Sequence, residues 1–114
     1  MADTELSIEV RDQAGWTVFD VAGELDLYTA AKLKERLRAL SDQGRSRIVV
    51  NLERVEFMDS TALGVLIGAR KRARESDGEV ALAAPTEPVR KVLSITGLDR
   101  VFPIRESVDE ATSG

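Results

Sequence analysis

Asp59, Ser60 and Thr61 place a carboxylate beside two hydroxyls directly ahead of an apolar run, and no other trio in the chain has so much chemistry in so short a space. Two readings of these residues stand side by side. They are ordinary capping residues, because side-chain oxygens of Asp, Ser and Thr satisfy the unpaired amides that open a helix. Equally, Ser60 is a hydroxyl carried at or next to an N-cap, where free N–H groups and the positive end of the helix dipole favour an added phosphate. Nucleophilic catalysis lacks its usual support: the sequence has no histidine and no cysteine. That excludes the Ser-His-Asp triad, thiolate chemistry, disulfides and the commonest metal ligands. A lysine can activate a serine in principle, but Arg70, Lys71 and Arg72 fall about two to three turns further along the same helix. There, with Arg74, they complement the negative end of its dipole. No acidic stretch has the spacing of a Ca²⁺-binding loop. The expectation is a surface that is bound or modified, with no metal site, and a chain that is not an enzyme.

The elements that must position this trio follow from length and periodicity. A chain of 114 residues with 43% hydrophobic and 32% charged residues is expected to form one domain spanning 1–114, with an ordered core over about 5–105. Its net charge of −4 disfavours direct binding to nucleic acid or to an anionic membrane. Residues 1–5 lack the basic and apolar regions of a signal peptide, and no run approaches the ~20 apolar residues that span a bilayer. A cytoplasmic protein is expected.

Leu6, Ile8 and Val10 alternate with polar residues and predict a strand. A turn over 12–15 leads to a second strand over 16–21, ended by Gly23. Leu33, Leu37 and Leu40 then repeat at helical spacing, with Gly44 near the helix end. The run 48–52 suits a central strand covered on both faces. The helix over about 61–75 is apolar almost all round in its first half, which predicts deep burial, and Gly64 and Gly68 are expected to let its backbone lie close against the sheet. A short strand over 80–84 follows. Thr86 is expected to cap a further helix with Pro88 in its first turn and Val89, Val92 and Leu93 on its apolar face; Gly97 ends it. A last strand is expected within 101–104, and the small and polar residues 105–114 are expected to fray. The order ββαβαβαβ predicts an α/β domain with a mainly parallel sheet and an antiparallel N-terminal edge strand.

Three stretches carry a resemblance. Gly23-Glu24-Leu25-Asp26 with Thr29-Ala30, Phe57-Met58-Asp59-Ser60-Thr61-Ala62-Leu63-Gly64, and Thr96-Gly97-Leu98 are together similar to STAS-domain anti-sigma factor antagonists, the middle stretch being the most specific. Ala62 stands where many members carry Gly. The resemblance implies a STAS-like domain over nearly the whole chain, with Ser60 as phosphoacceptor and Thr61 less suited to that role. It implies that Asp59 places the hydroxyl and meets the partner, and that Glu24 and Asp26 share the partner-facing surface; solvated loop acids are the alternative for those two. The implied partners are an anti-sigma factor that is also a serine kinase, which is bound when Ser60 is unmodified and released on its phosphorylation, and a PP2C-type phosphatase that resets the switch. No cofactor of the chain's own is implied, and the oligomeric state is open.

Three rival readings stand against this expectation. A phosphorelay receiver would use Asp59, but it needs an acidic pair after the first strand and a late lysine, and no lysine follows Lys91. A serine enzyme lacks a base, as above. A STAS module acting only as a scaffold, without a phosphorylation switch, shares the fold, but the retained Asp59-Ser60-Thr61 favours the switch.

Overall fold

A computed structural model describes residues 6–113; the signal-peptide reading of residues 1–5 and the outer limits of the expected 1–114 domain lie outside the described residues. Strands β1 (Ser7–Gln13) and β2 (Trp16–Leu25) form an antiparallel hairpin. Its turn is the two-residue Ala14-Gly15, both at positive φ, and it sits one step later than the expected turn because Asp12 and Gln13 still pair across the hairpin. Positive φ at both central residues is the turn whose twist matches the strands. Then follow α1 (Leu27–Asp42), β3 (Arg47–Met58), α2 (Ser60–Glu75), β4 (Glu79–Ala83), α3 (Glu87–Ile95), a 3₁₀ turn (Leu98–Arg100), β5 (Ile104–Arg105) and α4 (Val108–Thr112).

The sheet order is β1-β2-β3-β4-β5, parallel throughout except for the antiparallel edge strand β1. The expected α/β class, the element order ββαβαβαβ and the antiparallel edge strand therefore hold. Strand β3 is central and has apolar residues on both faces. Ile48, Val50 and Leu52 enter the main core with Phe19, Leu33 and Leu66, while Val49 enters a smaller core with Trp16, Val18, Ala81 and Ala83. Successive strand side chains point to opposite faces, so the continuous apolar run is what a doubly covered strand requires.

Several expectations are corrected. The segment expected to fray contributes Arg105 to β5 and forms α4, in which Ala111 and Thr112 are buried. Ala111 and Val108 pack on the second core, Ser107 caps the helix through Glu110 N–H, and Gln13 donates to Asp109 and Thr112. A short segment of polar composition is thus held by a single apolar pair and long-range hydrogen bonds, which composition does not reveal. The last strand begins at Ile104, beyond most of the expected window. Thr86 stands at the N-cap of α3 but makes no cap bond; its hydroxyl donates to Val55 O at 2.6 Å, tying the loop to β3. Close backbone approach belongs to Gly78 rather than to the helix glycines, since a Cβ there would lie 2.0 Å from Ser46 O.

Candidate functional site

The carboxyl ends of β2 and β3 bring two helix starts together. Leu25 pairs with Met58, and the Asp59 amide donates to Leu25 O at 3.0 Å. Each strand then ends in an aspartate that caps the next helix. Asp26 accepts from the Tyr28 and Thr29 amides at 2.9 Å, and the Thr29 hydroxyl accepts from the Asp26 amide to complete a capping box. Asp59 accepts from the Thr61 and Ala62 amides at 3.0 and 3.2 Å. The Thr29 amide holds the Asp26 carboxyl below the usual aspartate range against the opposing effect of desolvation, with the Thr29 hydroxyl and the Tyr28 amide adding to the lowering. Asp26 and Asp59 therefore have structural work as caps of α1 and α2.

Ser60 is the first residue of α2 and is exposed, as is Thr61. Two of the amides that the sequence offers to a phosphate on Ser60 are occupied, since those of Thr61 and Ala62 already bond to Asp59. Glu24 lies next to this pair of caps, exposed, opposite Phe57 and beyond a register shift after Gly23. Thus Glu24, Asp26, Asp59, Ser60 and Thr61 gather at one edge of the molecule. Sequence reasoning missed the apolar residues beside them: Tyr28 is 85% exposed, Leu27 62% and Phe57 46%. Tyr28 falls outside the buried stripe of Ala30, Leu33, Leu37 and Leu40, and that misfit was the available signal.

Helix α2 is not buried all round. Ala62, Leu63, Leu66 and Ala69 face the core, whereas Gly64 and Ile67 are exposed. Gly64 has nothing within 4 Å of where a Cβ would stand, and a Cβ on Gly68 would meet only the end of the Arg72 side chain, at 3.6 Å. Both glycines line an open groove of about 500 Å³ between α1 and α2, which begins at Leu27 and Thr61. On the opposite side of the sheet, Asp20 accepts from Arg11 Nε at 2.6 Å and Asn51 Nδ2 at 2.8 Å. Arg11 holds the Asp20 carboxyl below its ordinary range, and Asn51 adds to the effect against the cost of burial. Among the described residues no group of three acids is placed to hold a metal ion, and no helix is long and apolar enough to cross a membrane.

The carboxyl ends of β2 and β3 thus present an exposed serine, acidic caps and exposed apolar side chains together on one surface. The STAS domain family model matches residues 6–111. The chain is 35% identical over 104 residues to the anti-sigma-B factor antagonist of Staphylococcus aureus, covering 91% of this chain and 96% of that protein. Its structure is similar to an anti-sigma factor antagonist from Mycobacterium paratuberculosis, with a TM-score of 0.89 and 28% identity over 98% of this chain and 95% of the other. It is also similar to the Bacillus cell fate determinant SpoIIAA in its phosphorylated form, with a TM-score of 0.73 and 25% identity over 94% and 97% of the two chains. The chain belongs to the STAS-domain anti-sigma factor antagonists, a family of regulatory binding proteins and not of enzymes.

Proposed function

We propose that the unmodified protein docks the edge containing Glu24, Asp26, Asp59, Ser60 and Thr61 onto an anti-sigma factor that is also a serine kinase, releasing a sigma factor in the cytoplasm. The kinase transfers the γ-phosphoryl group of ATP to the Ser60 oxygen, with loss of the hydroxyl proton and release of ADP. A PP2C-type phosphatase hydrolyses the ester and restores the binding form. The observation that carries the reading is the exposed hydroxyl of Ser60 at the start of α2, beside a carboxylate that already occupies the neighbouring amides.

That arrangement favours ejection by charge. A phosphoserine adds about −1.5 to −2 charges at neutral pH. The Thr61 and Ala62 amides are taken, so the new charge competes for them with the Asp59 carboxylate beside it. Desolvating such a charge in an interface costs ~2–5 kcal/mol, or about thirtyfold to several thousandfold in affinity. No rearrangement of the domain is required. The similarity to SpoIIAA, a protein known in a phosphorylated form, supports the same reading.

The test incubates the protein with a kinase-type anti-sigma factor and ATP·Mg²⁺, maps the phosphate by mass spectrometry, and titrates the partner with wild type, Ser60→Ala and Ser60→Asp. Phosphate on Ser60 alone is expected, with wild type and Ser60→Ala binding alike and Ser60→Asp at least tenfold weaker. Equal affinities across the three proteins, or phosphate at another residue, would overturn the switch and leave a STAS scaffold.

A further inference from the structure

The groove between α1 and α2 continues from the Ser60 edge down the outside of the molecule. Both helices start from the same end of the sheet and run in parallel, so their groove-lining residues match in steps: Leu27 with Thr61, Lys34 with Gly68, and Arg38 with Arg72. The charge of this lining opposes that of the molecule. The chain carries −4 overall, yet the charged groove residues are Lys34, Arg38 and Arg72, and no acid lines it. None of the three cations forms an ion pair with an acid among the described residues. The floor is formed partly by Gly64, at an interior helix position where glycine is less favourable than alanine. No neighbour within the fold requires that glycine, because the space beyond its Cα is open.

We infer that this groove is a second docking point for the same anti-sigma factor, and that it takes an acidic segment of that partner whose backbone approaches Gly64 and whose carboxylates meet Lys34, Arg38 and Arg72. The inference rests on the proposed reading of the Ser60 edge, with which the groove is continuous through Leu27 and Thr61. An acidic ligand is the complement of a cation-only wall, and opposite charge across an interface sets register and speeds encounter. The missing Cβ at Gly64 lets an incoming chain lie close to α2. Ser60 then reports modification at one end, while the groove supplies selectivity along the helices.

The experiment titrates a purified kinase-type anti-sigma factor with wild type, Ser60→Asp, the triple variant Lys34→Gln/Arg38→Gln/Arg72→Gln, and Gly64→Leu. The triple variant is expected to bind at least tenfold more weakly and to lose most of the salt dependence of wild-type binding. Gly64→Leu is expected to bind at least tenfold more weakly with an undiminished melting temperature, since the new side chain fills the groove and leaves the core untouched. Wild-type affinity in both groove variants, with Ser60→Asp still defective, overturns the groove and leaves the Ser60 reading standing. A change in self-association with unchanged partner binding also overturns it, by assigning the groove to a second copy. Failure of the wild type to bind overturns both readings.

Discussion

At the scale of single residues, the same carboxylates answer to two demands. Asp26 and Asp59 bond the first-turn amides of α1 and α2, so replacing either disturbs a helix start as well as any partner contact. Partner binding by their variants is therefore a poor measure of direct contact, and Ser60, which caps nothing, is the cleaner probe. Asp20 is different again, because its partners Arg11 and Asn51 lie across strands on the far side of the sheet. Its carboxyl titrates below the usual range in the fold; in an unfolded chain an aspartate titrates near ~3.9. The charged form is thus favoured by folding, and the resulting stability is complete above that unfolded value and lost as pH falls through the lower folded one. Asp20→Asn is expected to melt earlier than wild type by a constant margin between about pH 7 and pH 5, and the margin is expected to shrink below about pH 4. Thermal melts across that range check it, and a margin that persists unchanged to pH 2 would count against the Asp20–Arg11 pair as a source of stability.

At the scale of elements, Gly64 separates what folding needs from what the surface allows. Alanine in a helix interior is favoured over glycine by about 1 kcal/mol, and a Cβ at Gly64 meets nothing. Gly64→Ala is expected to raise stability by about that amount, or about 4 °C in melting temperature, as read by calorimetry; a lower melting temperature would mean that the α2 surface is closed. The same residue marks the limit of what periodicity conveys. Leu33, Leu37 and Leu40 repeat cleanly and identify α1 and its buried side, and the run 48–52 identifies the central strand. In α2 the apolar residues surround the helix, so composition reads as burial, and only the structure separates Leu63 and Leu66 inside from Ile67 outside. Thr86 misled for a related reason: a cap residue is recognised by type, but its hydroxyl had a stronger long-range partner in Val55 O. The positions of Asp59 and Ser60 were legible because capping is local. The exposed Tyr28, Leu27 and Phe57 were not, because exposure depends on which strands and helices meet.

At the scale of the whole molecule, the sheet separates two jobs. One face is covered by α1, α2 and α3 and carries the Ser60 edge; the other is closed in part by α4, whose Val108 and Ala111 cover Trp16, Val18 and Val49. Trp16 is the single tryptophan of the chain, with the Arg47 guanidinium stacked 4.6 Å from its ring centre, so its emission reports on this second core alone. Truncation after Glu106 removes α4 together with the bonds from Gln13 to Asp109 and Thr112. Uncovering about one valine and one alanine side chain, and part of the indole, is expected to cost about 2 kcal/mol. The truncated protein should therefore melt lower and show red-shifted tryptophan emission. Its phosphorylation by a kinase-type anti-sigma factor should stay at the wild-type rate at temperatures where it remains folded, because α4 lies across the sheet from the helix starts that present Ser60. Unchanged emission would mean that α4 does not shield the indole in solution. A phosphorylation rate that fell with the emission shift would mean that the two faces are coupled through β3, the strand that carries Val49 into the second core and ends one residue before Asp59.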